Sequence, residues 1–362
     1  MDTYRRRFRT VGILALSLAF ASALSVKAQP TGCRRVLLTD PRPQWISSAT
    51  FIDQGSRIAL VDPLLHKLLL VNSRGKSSEA QWDQANGQNE PAFINRGLNG
   101  YVLSMIDRRL FWLDSHLKPR PITSITKRRD GSQGSIESAY DSVSSGDFLY
   151  YFGAMRTVQG QFWWGFFRSP LEAPAIPESL FDFKDVDYYL LGHKYLTGLA
   201  GDGYAVVMTE KPSIFKFPRT GKQKIVQLKS FPEEYRHAPK LRTVSTGSKS
   251  QEAPFKEIEG LTIPVGLYGQ DGLLYLLTRK PRDRGGATWL LHKIDPRRDR
   301  ELGQSRLPTT AKHLTVVNTG GNWYMFEKGS VQPDGSQKID SMLIIPNSAI
   351  KSLKVPEICS SR

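Results

Sequence analysis

The chain has 362 residues, with 50 Lys and Arg against 34 Asp and Glu, for a formal net charge of +16. Two cysteines and six histidines exclude a cysteine-dense scaffold and leave no closely spaced thiols for a structural zinc. With 40% hydrophobic and 23% charged residues the chain can bury a core, and its cationic excess favours anionic partners without specifying a fold.

Arg5, Arg6, Arg7 and Arg9 open the chain with positive charge, and Val11 to Leu24 is almost wholly apolar. Val26 and Ala28 then stand at the −3 and −1 positions of a small-residue cleavage site. That order predicts a secretory signal peptide over residues 1–28, leaving residues 29–362 as a single domain. The apolar run is about 14 residues, short of the roughly 20 that a helical span needs, and an uncleaved N-terminal anchor is the alternative. Arg5-Arg6-Arg7-Phe8 matches a twin-arginine signal only in part, because Arg9 and Thr10 replace its continuation. Thr31-Gly32-Cys33 ends like a lipoprotein box, but Pro30 stands where an aliphatic residue belongs. No later segment is apolar enough to span a bilayer, so the protein is expected to be secreted or periplasmic and not transmembrane. Removal of residues 1–28 leaves 334 residues and lowers the net charge from +16 to +12. In an oxidising compartment Cys33 and Cys359 are expected to form a disulfide.

A repeat occupies the rest of the chain. Its clearest copy begins with Ala49-Thr50-Phe51-Ile52, turns at Asp53-Gln54-Gly55-Ser56, and continues through Ile58-Ala59-Leu60-Val61-Asp62. After Pro63-Leu64-Leu65-His66 comes Leu68-Leu69-Leu70-Val71, which closes on Asn72-Ser73-Arg74-Gly75. A turn followed by a second apolar run returns at Asn99-Gly100, Gly146-Asp147, Asp202-Gly203, Asp271-Gly272 and Gly321-Asn322. Asn, Asp and Gly accept positive φ there, and β-branched or aromatic residues flank them, which is the signature of a β-hairpin. Six copies, about 40 to 80 residues apart, fit four-stranded blades with loop insertions. A β-sandwich gives many short strands but not a sixfold repeat, so the expected fold is all-β, a six-bladed β-propeller of four-stranded antiparallel blades.

Residues 231–260 interrupt the repeat and are rich in Lys, Glu, Ser and Pro, which reads as an inter-blade insertion with one helical turn near Pro232. Thr126 to Ser135, with Lys127-Arg128-Arg129, reads as a shorter loop of the same kind. Closing a ring removes exposed sheet edges. Arg34-Arg35-Val36-Leu37-Leu38 is a strand left over before the first blade, and pairing it into the last blade would bring Cys33 to Cys359.

Ile58-Ala59-Leu60-Val61-Asp62, His66-Lys67-Leu68-Leu69-Leu70-Val71 and Gly75 together resemble the core of an NHL repeat. The resemblance covers this blade closely and the others by pattern. It implies a radial scaffold with a central channel, in a superfamily that includes calcium-dependent lactonases of the gluconolactonase type, streptogramin-type lyases and exported binding proteins. A shared scaffold does not choose among those functions.

For the enzyme alternative, a channel-centred lactonase or lyase, oxygen ligands on the inner strands would be needed to hold calcium. Asp53, Glu90, Asn95, Asp141 and Asn318 are the residues available, and they form no obvious convergent set, so no cofactor is expected, with calcium the one ion to consider. The histidines show no metal-binding spacing. His193, before the fourth blade's inner strand, is the one placed where a lyase carries an acid or base. Phe162-Trp163-Trp164-Gly165-Phe166-Phe167 reads as a strand buried on both faces between blades. The loops joining second and third strands open on one rim, and they collect Arg108, Arg109, Arg156, Lys211, Arg279, Lys280, Arg282, Arg284 and Lys328. Arg forks suit carboxylates and phosphates, and like charges around a cleft concentrate a counter-charged ligand. The expected function is therefore a secreted binding or scaffold module, a monomer whose partner is an anionic small molecule, a glycan or a protein, with no specific nucleic acid.

Overall fold

The computed structural model describes residues 32–360 apart from 81–89, 97–99, 106–109, 122–124, 128–132, 158–159, 161, 171–177, 184–193, 208–212, 221–223, 227–261, 283–284, 330–331, 333–334 and 338. The expected signal peptide and the insertion at 231–260 lie outside the described residues. Six antiparallel sheets follow one another along the chain. The leading strand β1 (Arg34–Leu37) precedes the first sheet, β2 (Ser48–Ile52), β3 (Arg57–Asp62), β4 (Lys67–Asn72) and β5 (Ser77–Glu79). The second comprises β6 (Pro91–Arg96), β7 (Gly100–Met105), β8 (Leu110–Asp114) and β9 (Pro119–Pro121). The third contains β10 (Ile125–Lys127), β11 (Gln133–Ser145), β12 (Phe148–Thr157), β13 (Phe162–Pro170) and β14 (Glu178–Phe183). The fourth is β15 (Lys194–Leu199), β16 (Asp202–Val207), β17 (Ser213–Phe217) and β18 (Lys224–Val226). The fifth is β19 (Ile263–Gln270), β20 (Leu273–Pro281), β21 (Ala287–Asp295) and β22 (Arg300–Arg306). The sixth holds β23 (His313–Asn318), β24 (Asn322–Lys328) and β25 (Ser341–Pro346), with β1 as its outer strand. These are the six blades of a β-propeller.

The turn signals fall at or beside the junction of first and second strands, although in the fourth blade the turn itself is Ala200-Gly201 and Asp202-Gly203 already open β16. Asp271 and Gly272 have φ of 52° and 76° between β19 and β20, the left-handed pair a tight hairpin requires. Each blade is apolar on both faces because it is packed on both sides. Ile52, Val61, Leu68 and Leu70 of the first blade meet Ile94, Tyr101, Leu103 and Leu113 of the second. On the other face Ile58, Leu60, Leu69 and Val71 meet Tyr324, Phe326, Met342 and Ile344 of the sixth. Phe166 and Phe167 of β13 are buried as the aromatic run predicts.

The ring closes as expected. β1 pairs antiparallel with β25, Arg34 opposite Ile344 and Leu37 opposite Ser341. Two short helices, α1 (Asn347–Ser352) and α2 (Val355–Ser360), carry the chain back to β1, where Cys33 and Cys359 form a disulfide with Cα atoms 4.9 Å apart. Two details differ from the sequence reading. The stretch Thr126 to Ser135 is not only a loop, because β10 and the start of β11 pair there, Ile125 opposite Ser135, giving the third blade a fifth strand. The helices also carry no helical period in sequence, since six residues are too few to display one. Among the described residues no helix is long and apolar enough to cross a membrane.

Candidate functional site

Two parts of the molecule hold ionisable groups in unusual surroundings, the channel wall and the rim where second strands pass to third strands. The inner strands β2, β6, β11, β15, β19 and β23 line the channel, and all but β11, which also pairs with β10, stand at an unpaired edge of their sheet. Side chains from the preceding blade satisfy several of those edges. Ser48 Oγ accepts the Ile94 N–H at 2.7 Å and Thr197 Oγ1 accepts the Gly269 N–H at 2.7 Å, while between the fifth and sixth blades two side chains bond, Asn318 Nδ2 donating to Gln270 Oε1 at 2.9 Å. At the junction of the third and fourth blades a carboxylate does this work: Asp141 Oδ2 accepts the Leu196 N–H at 2.7 Å. Burial pushes the Asp141 carboxyl up to about 7, although the N–H groups of Leu196 and Ser142 favour its charged form. Burial also pushes the Tyr268 phenol of β19 upward, helped by the negative charge of Asp141. The phenol bends over Gly266, where any Cβ would come within 2.5 Å of its oxygen.

The residues weighed for calcium do not assemble. Asp53 pairs with Arg57, Glu90 lies 3.2 Å from His66, and Asn318 bonds Gln270 and the Gly320 N–H. Among the described residues no three His, Cys, Asp or Glu side chains come together as a metal cluster.

On the rim, Arg156 is the penultimate residue of β12, Lys280 the penultimate residue of β20 and Arg282 the residue that follows β20, all three exposed. Arg279 is a correction. The sequence reading places it in a loop between second and third strands, but β20 continues to Pro281, so Arg279 stands inside the sheet opposite Trp289 and is only 5% exposed. Arg108, Arg109, Lys211 and Arg284 lie outside the described residues, as does His193. Lys328, the last residue of β24, is the most unusual cation. Its Nζ donates to the Ile46 carbonyl at 3.0 Å and sits 5.9 Å from the centre of the Trp45 ring. Burial lowers its pKa to about 8. Among the described residues it has no carboxylate partner.

Sequence reasoning missed one constellation entirely. In the fifth blade Thr278 Oγ1 lies 3.1 Å from His292 Nε2, and His292 Nδ1 lies 2.8 Å from Glu301 Oε1. Hydroxyl, imidazole and carboxylate come from β20, β21 and β22, so nothing in their spacing announces them. Thr278 is 1% and His292 2% exposed, which keeps the hydroxyl from any ligand and makes the relay a tie across three strands.

No protein-family model matches the chain. No curated protein matches it either. Among solved structures, a gluconolactonase from Xanthomonas campestris is similar at a TM-score of 0.50 and 12% identity, over 87% of this chain and 89% of its own. A member of the DUF4221 family from Bacteroides vulgatus is similar at a TM-score of 0.52 and 7% identity, over 88% of this chain and 98% of its own. At these identities the likeness shows the fold alone.

Proposed function

We propose that this is an exported propeller that binds an anionic ligand on the rim where second strands pass to third strands. One observation carries the reading: cations from three separate blades, Arg156, Lys280 with Arg282, and Lys328, stand at equivalent strand ends. Among the described residues, two acids at the same ends are spent elsewhere. Asp62 accepts the N–H groups of Gln44, Trp45, Leu64 and Leu65, and Glu327 is paired with Arg35. Like charges gathered around a cleft raise the local concentration of an anion.

The test is retention on immobilised heparin across a salt gradient. Changing Lys280 and Arg282 to Ser should bring elution earlier than changing Arg297 and Arg300, exposed cations on the turn between third and fourth strands. Equal elution of the two double variants would reduce the rim to ordinary charged surface.

A second reading, a lactonase or lyase acting in the channel, is favoured by Asp141 alone. A carboxyl titrating near neutrality can both take and give a proton at working pH. Turnover of a lactone panel abolished by Asp141→Asn would support it, and no turnover by the unmodified protein at any pH from 6 to 9 would remove it.

A further inference from the structure

The rim reading leaves open what kind of anion is bound, and the seam between the sixth and first blades narrows it. Lys328 closes β24 on one side of that seam, while the segment Gln44 to Ile46 enters the first blade on the other. This segment is held from below. Asp62, itself fully buried, accepts the Gln44 N–H at 2.6 Å and the Trp45 N–H at 3.1 Å. The Gln337 N–H donates to the Gln44 carbonyl at 2.7 Å. Those bonds place the Ile46 carbonyl and the Trp45 ring against the Lys328 ammonium before any ligand arrives.

The ammonium has three N–H donors, and the Ile46 carbonyl takes one. A buried cation is normally matched by a carboxylate, because desolvation without a partner is costly. Among the described residues, the acids of this seam are already engaged. Glu327 is next in sequence, so on a strand it points to the opposite face, where Arg35 holds it. Asp62 is saturated by backbone N–H groups, and Asp340 and Asp40 both lie against Arg42. The seam is built around a positive charge whose counter-charge is not among its own described residues. Beside that charge lies the half-buried indole of Trp45, a flat apolar surface of the kind on which sugar rings stack.

We propose that the Lys328–Trp45 seam binds a carboxylate-bearing saccharide, Lys328 taking the carboxylate and Trp45 the ring. This inference rests on the rim reading and adds the substrate class. Burial of Lys328 supports it, since a desolvated ammonium gains more from an anion than an exposed one does.

The experiment is calorimetric titration at low salt with a galacturonic acid tetramer, and with maltotetraose and acetate as controls. The tetramer should bind and maltotetraose should not. Lys328→Met should weaken binding at least about tenfold, as loss of a charge-assisted hydrogen bond does. Trp45→Leu, which leaves the charge in place, should weaken it about threefold or more. Lys328→Arg should restore part of what Lys328→Met loses. Acetate binding as tightly as the tetramer would overturn the saccharide assignment. Unchanged affinity in both Lys328→Met and Trp45→Leu would overturn the site, and the rim reading would stand if Lys280 and Arg282 still governed heparin retention. If the tetramer fails to bind and heparin retention is indifferent to the rim, both readings fall together.

Discussion

Replacing Asp141 by Asn should stabilise the fold above neutral pH and leave it nearly unchanged in acid. The carboxyl rises from its ordinary 3.8 to about 7 because the third, fourth and fifth blades shut water away from it. Below pH 3.8 both folded and unfolded chains hold the proton, and the group contributes nothing. As pH rises past that value the unfolded chain ionises while the folded one must keep its proton. Stability then falls until about pH 7, where the folded carboxyl ionises too. A shift of about three units at 1.36 kcal/mol each puts the full loss at about 4 kcal/mol. Asn keeps an oxygen for the Leu196 N–H and carries no charge, so the variant should recover about 2–4 kcal/mol at pH 8. Urea unfolding at pH 4, 6 and 8 reads this directly, as a midpoint that falls with pH in the unmodified protein and not in the variant. Parallel pH profiles for the two proteins would refute the reasoning, because the carboxylate would then be hydrated in the folded state.

Lys328 should act with the opposite slope, because its folded pKa is lowered. The penalty of about 3 kcal/mol is present below pH 8 and relieved as pH rises toward 10.5, so stability should climb over that interval and stay flat in Lys328→Met. Reducing the Cys33–Cys359 disulfide, which spans 326 residues, should cost up to about 6 kcal/mol by the chain-entropy model, measured as a lower midpoint in guanidinium with added reductant. Thr278→Val and Glu301→Gln should each destabilise by about 1–2 kcal/mol, and a double-mutant cycle should show that the two are coupled through His292.

What was legible in the sequence is what is local. Asp271-Gly272 announces its hairpin because positive φ is a property of those two residues, and the alternation of apolar runs with such turns yields six blades. The closing strand was legible by elimination, as an apolar run with no blade of its own. β10 was hidden because three residues beside Lys127-Arg128-Arg129 carry no period. Arg279 was misplaced because a strand packed on both faces can run on through Thr278 and Arg279 without any change of pattern. Asp141 was visible as an oxygen on an inner strand, but its raised pKa comes from burial at the junction with the fourth blade, whose strands lie far along the chain. Trp45 and Lys328 meet across the seam between the first and last blades, and no spacing rule joins residues so distant.

Pairing β1 with β25 also decides when the fold can be finished. β25 has one neighbour, β24, until Arg34 finds Ile344, so the sixth sheet stays open along its outer edge while the other five can assemble from strands close in sequence. The earliest strand made is therefore among the last to be satisfied, and it must remain unpaired while some 300 residues emerge behind it. Such long-range closure is slow, and an apolar edge left waiting is the usual starting point for aggregation. The charges of Arg34 and Arg35 on that waiting strand oppose association with other edges, and β1 is only four residues long, which limits what it can template.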